Sequence, residues 1–312
     1  MEKGIVIRST GSFYTVENQN GTHIECKLKG VFKTKGIKNT NPIAVGDHVE
    51  FDIPNDVGLI NKIEPRRNYI IRKSTKLSKQ HHIIASNIDQ AVLIISLIEP
   101  RTTTGFIDRF LITAEAYSIP VILVFNKLDI YSQEQSIELE KLTNIYTSIG
   151  YETLHVSAKT GLNLEILKSI LRGKKSLFSG HSGVGKSALV NAIDASQNLK
   201  IGEISQTHLK GKHTTTYATM HHLNFGAHII DTPGIKEFGL IDFHIQELSH
   251  YFPEMRNYLG KCKFNDCTHD QEPGCVVKLA VMEGEISQER FSNYLKILHD
   301  EELLQWENQH KE

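Results

Sequence analysis

The sequence predicts a multidomain α/β protein with a small all-β module at its N-terminus and a helical, cysteine-rich module at its C-terminus. Three observations carry that expectation. Residues 1 to about 65 alternate short β-like runs with Gly, Asn and Pro turns and show no helical period. From about residue 88 to 231, nearly continuous apolar runs alternate with segments of helical spacing, the pattern of a parallel sheet covered on both faces. From about 245 onward the chain turns helical and acidic around Cys262, Cys267 and Cys275. Single cores stop growing near roughly 250 to 300 residues, so a chain of 312 residues is expected to divide. The expected domains are 1–68, 69–242 and 243–312.

Composition is that of a globular protein, with 39% hydrophobic and 23% charged residues and a formal net charge of −1. The charge is unevenly placed: residues 1–82 carry 14 Lys and Arg against 8 Asp and Glu, whereas the remainder carries 21 against 28. A basic N-terminal module suits a polyanion-binding face, with an ordinary solvated surface as the alternative. The start "MEKGIVIRSTGS" has no long apolar stretch, and "AVLIISLI" and "IPVILVF" fall well short of the ~20 residues that span a bilayer. A cytoplasmic protein with no membrane partner is expected. In a reducing compartment, clustered cysteines favour a metal over disulfides.

In the N-terminal module, "GIVIRS", "FYTVEN", "HIECKLKG", "DHVEFDI" and "GLINKIE" read as five short strands. Five strands in about 65 residues with a basic surface suit an OB-like β-barrel, a fold that binds oligonucleotides on its open face, though a purely structural β-domain fits the same pattern. Lys27, Lys29, Lys33, Lys35 and Lys38, with Arg66, Arg67, Arg72 and Lys73 of the connector, are candidate RNA-phosphate contacts. Cys26 alternates as a strand residue and is expected in the core, and the pairs His81-His82 and His221-His222 are expected at the surface.

In the middle domain, "NIDQAVLIISL", "PVILVFNK", "YETLHVSAK" and "KSLFSG" read as strands, and "GFIDRFLITAEAYSI", "QEQSIELEKLTNIYTSIG", "LNLEILKSILR" and "GKSALVNAID" as helices. Between the last strand and helix lies Gly180-His181-Ser182-Gly183-Val184-Gly185-Lys186-Ser187, which fits G-x-x-x-x-G-K-[ST]. Its glycines let backbone N–H groups curl around phosphates at a helix N-terminus. Lys186 is expected on the β- and γ-phosphates and Ser187 on Mg²⁺.

"VILVFNKLD" identifies the base. Asn126 and Asp129 follow an apolar strand and so lie at its C-terminal edge, where ligands of open α/β sheets bind. One carboxylate can accept from both N1 and N2 of guanine, a donor pair that adenine lacks, so Asp129 is the candidate base selector. Asn126 is expected to fasten the loop and touch the base, with the Lys127 stem over the ring. In "HVSAK", the Ala158 N–H can donate to guanine O6, supported by Ser157 and Lys159. In "HIIDTPG", Asp231 would hold Mg²⁺ and the Gly234 N–H would sense the γ-phosphate. In "LKGKHTTTYAT", one of Thr214, Thr215 and Thr216 is expected to supply a second Mg²⁺ hydroxyl, with Thr215 preferred.

The order of these elements is inverted: base-reading loops come first, then the phosphate loop, then the switches. This predicts a circularly permuted P-loop GTPase domain whose usual ends are joined through "LRGKK". A helical module then follows directly on the nucleotide-sensing segment.

The sequence resembles the RsgA (YjeQ/YloQ) family of circularly permuted bacterial GTPases. The resemblance rests on the β-barrel start, "NKLD", "SAK", "GHSGVGKS", "GKHTTT", "DTPG" and the Cys-rich end, in that order. It implies an N-terminal OB-fold, a permuted GTPase and a C-terminal zinc-binding domain. It further implies action late in assembly of the small (30S) ribosomal subunit on its 16S rRNA, with subunit-stimulated GTP hydrolysis; a monomer is expected. Lys212 stands where many relatives carry Arg. The rival expectation is an RNA-binding assembly factor in which GTP is a conformational ligand and turnover is incidental.

"CKFNDCTHDQEPGC" offers Cys262, Cys267, His269 and Cys275, three thiolates and an imidazole that would close a tetrahedral structural Zn²⁺ site. Three buried packing cysteines are the alternative. No glutamine follows Gly234; Ile235 stands there and has nothing to offer a water. His213, just before the three threonines, is the candidate to orient the attacking water, against the alternative that it contacts only RNA or solvent. The catalytic set expected is thus His213, Lys186 and Thr215.

Overall fold

A computed structural model describes residues 1–10, 13–29, 42–54, 56–72, 82–199, 218–231 and 245–300. Five strands, β1 (Glu2–Ser9), β2 (Tyr14–Asn18), β3 (His23–Leu28), β4 (His48–Asp52) and β5 (Gly58–Ile63), form the N-terminal module. Their order β1-β2-β3-β5-β4 closes on itself because β4 also pairs with β1, and β3 runs parallel to β5. Closure removes the exposed sheet edge. Inward positions alternate as the sequence predicts: Val6, Tyr14, Val16, Cys26, Val49, Phe51 and Ile60 are each at most 2% exposed. Burial pushes the Cys26 thiol up to about 12, so it packs as a neutral group.

The connector is more structured than its charge suggests. β6 (Tyr69–Arg72) pairs antiparallel with β7 (His82–Ser86). Arg66 is not free to grip RNA: it holds Asp47 through two hydrogen bonds, Nε to Oδ1 at 2.7 Å and Nη2 to Oδ2 at 2.6 Å. Asp47 is fully buried and also accepts from Ser86 Oγ at 2.6 Å, so the arginine neutralises a carboxylate that ties the barrel to the connector. Arg67 is likewise engaged with Asp89 at 2.6 Å. Lys27 and Lys29 are exposed, the side chain of Arg72 is not described, and Lys33, Lys35, Lys38 and Lys73 lie outside the described residues.

The middle domain is built on β8 (Gln90–Ile95), β9 (Val121–Phe125), β10 (Glu152–His155), β11 (Lys175–Ser179), β12 (Thr219–Leu223) and β13 (Ala227–Asp231). Helices α1 (Thr104–Ala116), α2 (Gln133–Ser148), α3 (Leu164–Leu171) and α4 (Lys186–Ile193) intervene. The strand order is β10-β9-β8-β11-β13-β12, parallel except for β12. Every residue of β8 and β9 is buried, because helices cover both faces. Thr103 caps α1, and Ser132 with Gln135 forms a capping box at α2. α3 ends at Leu171 and β11 begins at Lys175, so the join that closes the permutation is three residues long. β12 follows the stretch "LKGKHTTTYAT" and overlaps it only at Thr219. His221 on it is half-buried rather than at the surface, while His222 is exposed. Among the described residues one ladder pair, Arg8 opposite Thr219, joins barrel to sheet.

The C-terminal module comprises a 3₁₀ turn at Ile245–Tyr251 and helices α5 (Pro253–Arg256), α6 (Val276–Met282) and α7 (Gln288–Leu298). Its core of Leu248, Phe252, Met255, Val277, Phe291 and Tyr294 also takes in Ile112 of α1. Among the described residues, no helix is long and apolar enough to cross a membrane.

Candidate nucleotide site and metal centre

The C-terminal ends of β9, β10, β11 and β13 lie together at one edge of the sheet, because the four strands belong to one parallel set in close register. β11 sits at the centre, between β8 and β13, and runs into the phosphate loop. The loop needs glycine. Gly180 has φ +141°, and a Cβ there would stand 2.4 Å from the Ile94 carbonyl oxygen. Gly185 has φ +99°, and a Cβ there would stand 2.4 Å from Asn126 Nδ2.

Asn126 is 1% exposed and joins the three loops. Its Nδ2 donates to Val184 O at 3.0 Å in the phosphate loop, and its Oδ1 accepts from Ala158 N at 3.1 Å in "SAK". The base-reading loops and the phosphate loop, 54 residues apart in reversed sequence order, are thereby held as one unit. The Ala158 N–H assigned to guanine O6 is thus engaged with Asn126, and donation to a base requires that it be shared or exchanged.

Asp129 Oδ1 accepts from Ser157 Oγ at 2.6 Å, and Lys159 Nζ stands 3.9 Å from its Oδ2. These two contacts fix the orientation of the Asp129 carboxylate. Lys127 takes a left-handed backbone (φ +67°), and its Nζ donates to the Glu99 carbonyl. Lys186 Nζ donates to the carbonyls of Gly180 at 2.6 Å and His181 at 2.7 Å, so the ammonium is held against the backbone of its own loop. Ser187 lies at the first turn of α4 and is 6% exposed. Asp231 ends β13 opposite Phe178, two residues before Gly180. His213, Thr214, Thr215, Thr216 and Gly234 lie outside the described residues.

Cys262, Cys267, His269 and Cys275 offer ligand atoms that all lie within 4.8 Å of one another. His269 Nδ1 is 3.4 Å from Cys275 Sγ and 3.6 Å from Cys262 Sγ, and those two sulfurs are 4.0 Å apart. Tetrahedral ligands on bonds of about 2.0 to 2.3 Å stand about 3.5 to 3.8 Å apart, so the donor set fits one closed four-coordinate ion. Burial pushes the Cys267 thiol up to about 12 and raises that of Cys275, so thiolates here need a cation beside them. Glu272 orders the intervening loop: its carboxylate accepts from Thr268 N at 2.8 Å, Thr268 Oγ1 at 2.7 Å and Asp270 N at 3.0 Å.

One buried feature had no sequence signal. Arg290 of α7, 1% exposed, donates to Asp108 Oδ1 of α1 and Glu254 Oε1 of α5, each at 2.5 Å. Asp108 also accepts from Tyr146 of α2 at 2.9 Å and Asn293 of α7 at 2.7 Å. Each residue alone reads as an ordinary polar position on a helix surface.

Two family models match. The one described as RsgA N-terminal domain covers residues 3–60, and the one described as RsgA GTPase covers 63–241. A protein of Christiangramia forsetii named small ribosomal subunit biogenesis GTPase RsgA is 52% identical over 96% of both chains. A protein of the same name from Porphyromonas gingivalis is 51% identical over 96% of both. Among solved structures, YjeQ from Thermotoga maritima superposes with a TM-score of 0.78 at 36% identity, covering 97% of this chain and 98% of that one. YloQ, titled a circularly permuted GTPase, superposes with a TM-score of 0.74 at 29% identity, covering 100% and 97%.

Proposed function

The chain belongs to the RsgA GTPase family, and from that premise we propose how its residues carry the activity. It is a GTP hydrolase of small-ribosomal-subunit biogenesis, as its relatives are named. In our reading Asp129 selects guanine, Asn126, Lys127, Ser157, Ala158 and Lys159 hold the base-reading loops, and residues 180–187 receive the phosphates. The observation that supports this most is the Asn126 amide, which bonds both the phosphate loop and "SAK". Mg²⁺ bound with GTP would offset phosphate charge, with Ser187, Asp231 and Thr215 as its proposed protein partners. His213 is proposed to orient the attacking water.

A Cys₃His group could hold a metal ion, and its closed donor set favours one structural Zn²⁺. The barrel, a fold suited to oligonucleotides, and its exposed Lys27 and Lys29 support contact with 16S rRNA of the subunit. A cytoplasmic monomer in three domains, 1–68, 69–242 and 243–312, completes the reading. The test is GTP turnover by the purified chain with and without small ribosomal subunits. Strong stimulation is expected; equal slow rates would mean that GTP serves only as a conformational ligand.

A further inference from the structure

Helix α1 touches both the nucleotide loop and the C-terminal module, on different faces. At its first turn, the Phe106 ring lies over the His181 imidazole of the phosphate loop, with ring centroids 3.8 Å apart and planes inclined by 32°. The Phe106 backbone is itself fixed, because its N–H donates to the Thr103 cap at 3.3 Å. The residues leading into α1 contact the same site: the Pro100 ring lies 3.1 Å from where a Gly183 Cβ would stand, and Lys127 Nζ donates to Glu99 O.

Two residues after Phe106, and so on nearly the opposite face of the helix, Asp108 points into the C-terminal module. It is fully buried and holds Arg290 and Asn293 of α7. Asn293 also abuts the first turn of α1, with its Oδ1 3.6 Å from where a Gly105 Cβ would stand. Further along α1, Arg109 pairs with Asp300 at 2.5 Å and Glu115 pairs with Arg256. The same α7 reaches the Cys₃His loop, since Tyr294 donates to Thr268 O at 2.6 Å. A buried, charge-paired helix resists sliding, because any shift leaves a carboxylate without its donors.

We propose that Phe106 is a positioning residue for the phosphate loop, and that the buried cluster around Asp108 and Arg290 sets where Phe106 stands. The His181 carbonyl accepts from Lys186, so holding the His181 ring also holds the backbone that presents the phosphate-binding lysine. The C-terminal module thereby acts on nucleotide affinity through α1, by a route other than the chain that leaves β13. Linkage is reciprocal, so nucleotide binding also steadies α7.

The inference rests on the phosphate-loop reading of residues 180–187, and the experiment separates the two. Full-length wild type, Phe106→Leu and Phe106→Tyr are compared for GDP and GTP affinity by calorimetry with Mg²⁺, for KM and kcat, and for far-UV circular dichroism. If wild type binds neither nucleotide, the loop reading fails. If it binds, Phe106→Leu is expected to weaken affinity and raise KM by about 3- to 30-fold with an unchanged fold, while Phe106→Tyr, which keeps the ring, stays within about twofold. Unchanged affinity in Phe106→Leu, or equal losses in both variants, overturns the positioning role. Asn293→Ala, which removes one donor from Asp108, is expected to weaken affinity by about 2- to 5-fold and to combine less than additively with Phe106→Leu. Strict additivity overturns the link to the C-terminal module.

Discussion

Asp129 shows what one side chain does and what it borrows. Its acceptor pair suits guanine N1 and N2, and its orientation comes from Ser157, a residue of another loop. Asp129→Asn is expected to shift preference from guanine toward xanthine, whose carbonyl at position 2 can accept from the new amide. Losing the charge-assisted pair should cost about 1.5 to 3 kcal/mol in GTP affinity, read by calorimetry with both nucleotides. Gly185→Ala tests the tie between the loops: its Cβ would meet Asn126 Nδ2 at 2.4 Å on a backbone that disfavours side chains. Nucleotide binding should drop at least tenfold, on the order of 1.4 kcal/mol or more, while the barrel stays folded. Wild-type affinity in this variant would show that the Asn126 contact is dispensable.

The metal loop behaves as one element. Between Cys262 and Cys275 little apolar surface is available, and order comes from the donor set and from Glu272. Burial opposes the Glu272 charge, yet the hydrogen bonds from Thr268 and Asp270 bring its pKa down to about 2. Cys267→Ser is expected to lose the bound ion and to unfold residues near 250–290 locally, leaving nucleotide-loop chemistry in place. Elemental analysis should find about one Zn²⁺ per wild-type chain and much less in the variant. Wild-type protein purified without chelator and carrying no metal would refute the assignment. In the same way α4 is an element whose N-terminus is placed by β11 at the centre of the sheet, where we propose that it receives phosphate.

The whole molecule is joined by buried charge and by histidines. Arg290→Ala would leave Asp108 and Glu254 buried without their cation, and a loss of about 3 to 5 kcal/mol is expected in denaturant unfolding. At the other junction, a cavity of about 320 Å³ between barrel and sheet is lined in part by Glu17, His48, His222 and His228. His222 pairs with Glu17 at 2.5 Å, and His48 Nε2 stands 3.3 Å from Lys175 Nζ. Burial, then the Lys175 charge, lowers the His48 pKa; burial, then His222, lowers that of His228. Groups depressed in the fold take up protons more readily when unfolded, so stability is retained above about pH 6.5 and falls as pH drops below it. The thermal midpoint should therefore decline between about pH 7 and 5.5, and His48→Gln with His228→Gln should flatten that decline. An identical slope in the double variant would exclude these histidines as its source.

By itself the sequence determined the elements whose signal is local. The five barrel strands follow from alternation at positions such as Val6, Val16 and Phe51, and β8 and β9 from unbroken apolar runs. The phosphate loop follows from glycines at fixed spacing, and the metal centre from four ligands in one short stretch. The reversed motif order even announced the permutation. What only the tertiary structure decided were contacts between residues far apart in the chain. Arg66 reads from sequence as an RNA contact, and the fold instead sets it against the buried Asp47. β6 was hidden because a strand of four residues in a basic connector has no period to detect; its partner, β7, begins ten residues later. Asp108 and Arg290, 182 residues apart, carry no mark of burial, because the cost of desolvating a charge is offset by a partner that only the fold brings near.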